Sequence, residues 1–287
     1  MSPEIKQLAA GLYFVATPLG AARDITLRAL DVLASADVLA AEDTRTLKHL
    51  MQLHGVALGD RHVIAYHDHN GAEVRPRLIR ALAEGKSVAY ASEAGTPLVA
   101  DPGFPLARAA IADGHRVIPV PGPSAVTAAL TVAGLPTDRF LFAGFPPAAK
   151  GARKGWMAEL APVPATLVIY ESAKRIHRTL IELCEELGGD RQAAVCRELT
   201  KRFEEVLRGP LRDLATLVGE RPLKGEIVLV VDRHRAVAAD AEQELEAALL
   251  QAMQEMSVKD AVAHVTQALG LPRRQVYQAA LDLGKQP

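Results

Sequence analysis

Residues 88–103 read VAYASEAGTPLVADPG, a short apolar stretch that leads directly into a loop of glycine, proline and small residues. Similar short apolar stretches recur through the first half of the chain, at residues 12–15, 38–41, 63–65 and 117–120. Between them lie segments such as residues 27–33 and 78–82, in which apolar residues have helical spacing. This alternation predicts an α/β fold with a mainly parallel sheet and helices on both of its faces.

Four of the predicted strands end in loops of unusual composition, namely ATPLGAARD (16–24), AEDTR (41–45), ASEAGTPLVADPG (91–103) and PGPSA (121–125). In an open parallel sheet, ligands bind beyond the carboxyl ends of the strands. Glycine lets the backbone approach a ligand closely, and proline fixes the shape of a loop. Because these loops carry few charged side chains, they predict a mid-sized, partly apolar ligand held by main-chain groups. Ser124 is predicted to cap the helix that follows it.

The composition is that of a globular protein. The 287 residues are 49% hydrophobic and 23% charged, with a formal net charge of −1, which excludes a disordered, collagen-like or coiled-coil chain. A nucleic-acid partner would therefore need a local basic face. No apolar run approaches the ~20 residues that cross a bilayer, and the N-terminus lacks a signal-peptide pattern. Two cysteines, Cys184 and Cys196, give no disulfide framework. We expect a reduced, cytoplasmic protein with no membrane partner.

Three regions are expected: an N-terminal α/β domain over residues 1–138, a second α/β domain over 139–234 and a helical C-terminal segment over 235–287. The second domain contains four extended runs with a helix at residues 176–187 among them, which predicts a more mixed sheet; the runs are Thr166–Tyr170, Ala193–Arg197, Glu205–Arg208 and Ile227–Val231. Residues 146–155, PPAAKGARKG, are predicted to form a loop.

The spacing of apolar residues in the C-terminal segment predicts three helices. Ser257 is placed to cap a helix that ends at a turn of residues 270–273, and a further helix follows the turn. This arrangement is typical of a helix-turn-helix. A plain αα-hairpin packed on the body of the protein is the alternative.

Several common chemistries are excluded. The chain has no GxxxxGK[ST] for a nucleoside triphosphate, and no GxGxxG follows a strand. Ser124 lies in GPSAV rather than GxSxG, so it does not form a nucleophile elbow. His62, His67, Asp68 and His69 are candidate metal ligands, but a polar loop near a substrate explains them better, and we expect no metal site.

The motifs in these loops, and others in the second half, occur in the order found in a known family. They are FVATPLG (14–20) with Asp24, AEDTR (41–45), HDHN (67–70), SEAGTP (92–97) with DPG (101–103), PGPSA (121–125), GLP (134–136) with DRF (138–140), GF (144–145), YES (170–172) with Arg175, RELTK (197–201) and KGE (224–226). The chain thus resembles the tetrapyrrole-methylase-like, S-adenosylmethionine-dependent superfamily. Within it, the chain is similar to the family of ribosomal RNA small-subunit methyltransferase I, over residues 11 to about 232.

The resemblance implies that S-adenosylmethionine binds between two α/β domains and that a cytidine 2′-hydroxyl in 16S rRNA is methylated. The implied partners are 16S rRNA or the 30S subunit, and a second copy in a homodimer. The implied cofactor residues are Pro18, Leu19, Gly20, Glu93, Ala94, Gly95, Thr96, Pro97, Val99, Ser124, Ala125, Phe142, Tyr170 and Arg197. The sequence departs from the family where Ala21-Ala22 replaces Asn-Leu, Glu93 replaces Asp and Pro146-Pro147 replaces Leu-Pro.

Candidate catalytic residues are Glu198, Glu171 and Lys201. We hypothesise that one of the two glutamates accepts the proton of the ribose hydroxyl, while Arg197, Arg175 and Lys201 hold phosphates. On a strand, Arg197 would face away from Glu198, so these side chains cannot all serve one pocket. The alternative is that Glu198–Lys201 and Glu171–Arg175 are structural ion pairs.

Two further basic groups are candidates for binding RNA. Lys150, Arg153 and Lys154 would lie on a mobile loop that grips phosphates, or on a solvated linker; Arg273 and Arg274 lie in the C-terminal turn. Two other functions stay open. One is a methylase of the same fold that acts on a corrinoid or porphyrin precursor, and the other is a non-catalytic nucleic-acid-binding protein.

Overall fold

A computed structural model describes residues 3–234 and 238–283, without the side chains of residues 238–244. The chain separates into two compact units, residues 1–233 and 234–287. In the part of the chain that the structure describes, none of the helices has both the length and the apolar character of a membrane span.

The first sheet is parallel throughout and has the order β3-β2-β4-β1-β5. Its strands are β1 (Gly11–Val15), β2 (Val38–Ala41), β3 (Val63–Ala65), β4 (Ser87–Ala91) and β5 (Val117–Val120). The helices that follow them are α1 (Leu27–Ser35), α2 (Thr44–Leu53), α3 (Gly71–Ala83), α4 (Phe104–Ala112) and α5 (Ala125–Ala133). Side chains of β1 and β4 alternate between two apolar clusters, so helices cover both faces of the sheet as predicted.

The second sheet is mixed, with the order β6-β7-β10-β8-β9. Only β6 and β7 pair in parallel. Its strands are β6 (Phe140–Gly144), β7 (Thr166–Ser172), β8 (Gln192–Arg197), β9 (Glu205–Pro210) and β10 (Glu226–Val231). Helices α6 (Lys150–Leu160), α7 (Ile176–Leu187) and α8 (Leu211–Glu220) cover one face. Helix α5 packs on the other face through residues such as Val126 and Leu130. This contact ties the carboxyl end of the first sheet to the second sheet.

The prediction of a mobile basic loop at residues 146–155 is wrong. Helix α6 begins at Lys150, and Arg153 is only 2% exposed. The Arg153 guanidinium donates to the Glu182 carboxylate at 2.5 and 2.6 Å, and to the carbonyls of Pro147 and Ala148 at 3.1 and 2.8 Å. These bonds fix the segment and leave Arg153 inaccessible to RNA. Lys150 and Lys154 remain exposed on the helix.

The C-terminal unit contains α9 (Ala238–Glu255), α10 (Val258–Leu269) and α11 (Arg273–Leu283). The Ser257 hydroxyl accepts a hydrogen bond from the Asp260 amide at 3.3 Å, which is the predicted N-cap. Gly270 ends α10 in a left-handed conformation, with φ of 64°. Apolar side chains of the three helices, among them Leu249, Val265 and Val276, form a core of their own.

Candidate active site

A cavity of about 710 Å³ lies between the carboxyl end of the first sheet and the second sheet. Its walls come from the loops after β1, β2, β4 and β5, from α2, and from the second domain. The residues that line the cavity include Thr17, Pro18, Leu19, Gly20, Glu42, Thr46, His49, Glu93, Ala94, Gly95, Thr96, Val99, Asp101, Ser124, Ala125, Phe145, Tyr170, Glu171, Lys201 and Glu226. All four of the loops singled out in the sequence therefore reach the cavity.

Main-chain hydrogen bonds join the loops into one wall. The amides of Thr17 and Gly95 each donate to the other's carbonyl, at 2.9 and 3.0 Å. The Thr96 hydroxyl donates to the Pro123 carbonyl at 2.9 Å. Gly95 has φ of +80°, which is the left-handed region that glycine adopts readily. The shape of this wall is thus set by backbone geometry.

Carboxylates concentrate at the ends of β2 and β4. Glu42 accepts a hydrogen bond from the Glu93 amide at 3.3 Å, and burial raises the pKa of Glu42. Burial, with the charges of Glu42 and Glu93 added, raises the pKa of Asp101 to about 7, although a hydrogen bond from Ser92 opposes this shift. This part of the cavity therefore favours a cationic ligand.

Eleven of the fourteen predicted cofactor residues line the cavity, and Pro97, Phe142 and Arg197 do not. Pro97 is buried in its loop. Phe142 lies behind Tyr170, with ring centroids 4.8 Å apart. Ser124 lines the cavity, but its side chain makes no capping hydrogen bond to α5, so that detail of the prediction is wrong.

Arg197 and Glu198 are occupied by structural contacts. Arg197 donates to the carbonyls of Lys224 and Phe203, at 2.6 and 3.2 Å. The Glu198 carboxylate accepts from the Glu226 amide at 2.9 Å and from Lys201 at 3.2 Å. The Glu226 amide, followed by Lys201, holds the pKa of Glu198 below its usual value despite partial burial. Glu198 does not line the cavity.

The strand argument applied to Glu198 is also wrong. Strand β8 ends at Arg197, and Glu198 has φ of +50° at the start of a turn. Thr200 in the same turn has φ of +65°, and its amide donates to the Glu204 carboxylate at 2.6 Å. Alternation along a strand therefore does not describe this segment.

Glu171 lines the cavity but is engaged on both of its oxygens. One oxygen accepts from the Ser172 amide at 2.7 Å and from Arg175 at 2.8 Å, and the other accepts from the Thr179 hydroxyl at 2.7 Å. The Glu171 side chain is fully buried. The ion-pair alternative therefore describes Glu171 and Arg175 better than the catalytic hypothesis does.

Lys201 brings the two domains together at the cavity. Its ammonium lies 2.8 Å from Glu226 and 3.2 Å from Glu198. Its aliphatic stem lies directly against Gly20, where a Cβ would come within 2.3 Å of the lysine Cγ. The Thr200 hydroxyl accepts from the Ala21 amide at 3.2 Å. The first loop is therefore held against the turn that follows β8.

Sequence reasoning missed several lining residues. Asp101 and Phe145 stood in quoted motifs but were not singled out, and Thr46 and His49 lie on α2. For Asp101, the signal was a second carboxylate in a loop whose only other charged side chain is Glu93. For α2, the signal was its start within AEDTR, where Asp43 is the N-cap and Thr44 the first helical residue.

Comparisons with known proteins agree with this architecture. A family model described as Tetrapyrrole (Corrin/Porphyrin) Methylases matches residues 11–215, and one described as the RsmI C-terminal HTH domain matches residues 238–284. A crystal structure of uroporphyrin-III C-methyl transferase from Thermus thermophilus, complexed with S-adenosyl homocysteine, superposes with a TM-score of 0.54 at 22% identity, covering 77% of this chain and 97% of that one. These matches confirm the predicted fold class. For the C-terminal segment, they confirm the helix-turn-helix rather than the plain αα-hairpin.

Full-length relatives confirm the narrower resemblance. The ribosomal RNA small subunit methyltransferase I of Mesorhizobium japonicum is 46% identical over 280 residues, covering 97% of this chain and 94% of its own length. The protein of that name from Escherichia coli O157:H7 is 41% identical over 277 residues, covering 94% of each chain. With this similarity along nearly all of its length, the chain belongs to the ribosomal RNA small subunit methyltransferase I family.

Proposed function

We propose that this protein transfers the methyl group of S-adenosylmethionine to a cytidine ribose 2′-hydroxyl in the 16S rRNA of the small ribosomal subunit. The observation that carries the proposal is the interdomain cavity, with its carboxylates and main-chain wall, in a chain of this family. The helix-turn-helix unit supports an RNA substrate.

The residues of the cavity fit the cofactor. S-adenosylmethionine combines an apolar purine, polar groups and a cationic sulfur, and a volume of about 710 Å³ lies within the usual range for a ligand of this size. The loops at residues 17–20, 94–99 and 124–125 would hold it chiefly through main chain and small side chains. Glu42, Glu93 and Asp101 supply the negative charge that a cation requires. The bound cofactor supplies an activated methyl group on sulfur.

The protein's contribution is alignment and the exclusion of water. In-line displacement requires the acceptor oxygen, the methyl carbon and the sulfur to be collinear, and holding them so is worth several orders of magnitude in rate. The paired loops give a rigid wall on one side, and Lys201 holds the other side in contact with Gly20. Hydrogen bonds to Glu226 and Glu198 raise the pKa of Lys201 against the opposing effect of burial, so the ammonium stays charged and can face a phosphate.

The substrate RNA would be held outside the cavity. Lys150 and Lys154 on α6, and Arg273 and Arg274 at the exposed start of α11, are the basic side chains that we propose for its phosphates. We also propose that the protein acts as a homodimer, on 16S rRNA or on the assembled 30S subunit. Neutralising either basic pair should reduce the salt dependence of 30S binding, and an unchanged slope would remove that pair from the proposal.

Methyl transfer to isolated subunits tests the function. Radiolabelled S-adenosylmethionine is supplied with 30S subunits from cells that lack this gene, and the recovered rRNA is hydrolysed with alkali. A 2′-O-methyl group blocks cleavage, so we expect label in an alkali-resistant dinucleotide that contains cytidine. Subunits from cells that carry the gene are the control and should accept little label. Label on a base, or transfer only to a tetrapyrrole, would refute the proposal.

A further inference from the structure

We propose that Phe145 is the stacking platform for the base of the acceptor nucleotide, an inference that rests on the function proposed above. Phe145 follows β6, lines the cavity and is 52% exposed. Single exposed apolar side chains are common on protein surfaces, so the exposure of Phe145 alone carries no argument. Its position in the lining of the cavity does, because ligand cavities are lined mainly by hydrophobic and aromatic side chains.

A β-bulge places this ring on the cavity side of the second sheet. The pairing of β6 with β7 steps from Phe142–Val168 to Gly144–Ile169, so one residue of β6 is left over. Gly144 has φ of +71° at this point. On a regular strand, Phe142 and Phe145 would lie on opposite faces, because side chains alternate. The extra residue reverses the alternation, and bulges beside active sites are known to redirect a side chain in this way.

Both phenylalanine rings pack on the same tyrosine. The ring of Tyr170 has its centroid 4.8 Å from Phe142 and 5.5 Å from Phe145, with interplanar angles of 65° and 68°. These are edge-to-face contacts, which orient aromatic rings in proteins. Pro146 follows directly and is buried, so its fixed φ restricts the backbone next to Phe145. Phe145 is therefore an oriented ring with about half of its surface available to a ligand.

The acceptor base suits this ring better than the cofactor does. A nucleotide in folded RNA has to leave its stack before its ribose can enter a cavity, and enzymes hold such flipped bases between aromatic or apolar side chains. The base arrives from solvent, and Phe145 is exposed to solvent, whereas Tyr170 and Phe142 lie deeper. Stacking on a base also needs no charged partner. The carboxylates that would attract the cationic cofactor lie on the loops of the first sheet, whereas Phe145 follows a strand of the second sheet.

Substitutions at Phe145 test the proposal against a matched control. Phe145→Ala removes the ring, Phe145→Leu keeps apolar volume without a π face, and Phe145→Tyr restores the ring. Phe140→Ala is the control, because Phe140 begins the strand that Phe145 follows, is 45% exposed and does not line the cavity. For each protein, calorimetry gives the affinity for S-adenosylmethionine, and single-turnover transfer to unmethylated 30S subunits gives the rate and its dependence on subunit concentration.

We expect Phe145→Ala to lower transfer efficiency by roughly ten- to a hundredfold, the range of one base–aromatic stack. Phe145→Leu should stay impaired, Phe145→Tyr should recover to within about threefold, and cofactor affinity should change by less than about twofold. A loss of cofactor affinity equal to the loss of transfer would assign the ring to the cofactor and overturn the proposal, as would unimpaired transfer in the Ala variant. If the unmodified protein transfers no methyl group to 30S subunits, the proposed function itself has failed.

Discussion

The affinity for S-adenosylmethionine should depend on pH through Asp101. Burial, followed by the charges of Glu42 and Glu93, raises the pKa of this carboxyl from 3.8 to about 7. Below that value the carboxyl is protonated and neutral, and above it the carboxylate attracts the cationic sulfur. Lowering the pH from 7.5 to 5.5 reduces the ionised fraction from about 76% to about 3% for a group of this pKa. The dissociation constant should therefore rise by at most about 25-fold, the limit in which only the carboxylate form binds.

The same shift has a defined consequence for stability. Because the folded protein holds this proton more tightly than the unfolded chain does, the contribution of Asp101 to stability is complete below about pH 4 and is lost as the pH rises through about 7. A bound cation restores part of that loss. The increase in melting temperature on adding cofactor should therefore be larger at pH 7.5 than at pH 5.5.

Isothermal titration calorimetry at both pH values measures the effect on affinity. Asp101→Asn should bind more weakly at pH 7.5 and lose most of the pH dependence. The control is Asp113→Asn, since Asp113 is an exposed carboxylate outside the cavity. Titration of the ligand's own amino group is common to all three proteins, so their differences isolate Asp101. A pH-independent affinity in the unmodified protein, or an unchanged pH dependence in Asp101→Asn, would show that Asp101 does not control cofactor binding.

Three other substitutions have defined outcomes. Arg153→Met leaves Glu182 without its partner and should lower the free energy of unfolding in urea by about 3 kcal/mol, which is at the low end for a broken buried pair because the Glu182 side chain is 19% exposed. Lys154→Ala, at an exposed position, is the control and should lower it by less than about 1 kcal/mol. Equal losses would contradict the buried pairing. Glu198 has a lowered pKa, so its stabilising effect is present above about pH 4.5 and lost on acidification through the folded pKa. Glu198→Gln should therefore cost about 1 kcal/mol at pH 7 and progressively less as the pH falls below 4.5. Single-turnover transfer should fall less than tenfold, and a larger fall would restore Glu198 as a base. Ser257→Ala should destabilise the C-terminal unit by about 1 kcal/mol in thermal unfolding followed by circular dichroism, and an unchanged midpoint would contradict the N-cap.

Elements formed by local pattern were predictable from the sequence. The five strands of the first sheet were placed to within one residue, because β-branched runs such as Val117–Val120 stand between clear turn signals. Helix α7 was placed at its full extent because its apolar residues follow one helical face. The loops that line the cavity were predictable because their glycines and prolines mark backbone shapes that few other residues support.

Features that depend on distant contacts were not predictable. Helix α6 was hidden because the prolines and glycines of residues 146–155 indicate a loop. The Glu182 side chain that holds Arg153 lies 29 residues away. The bulge at Gly144 has no sequence signal beyond one glycine, so the exposure of Phe145 could not be foreseen. The turn at Glu198 was missed because the bonds that stabilise its positive φ come from Glu226 and Glu204, which lie on other segments.

We propose the interdomain cavity as the site of S-adenosylmethionine, and a crystal structure of the protein grown with saturating cofactor would show where it binds. We expect one cofactor per chain, in contact with the Gly95 loop on one wall and with Tyr170 on the other. A cofactor bound elsewhere, or clear density for the cavity walls with no ligand between them, would contradict it.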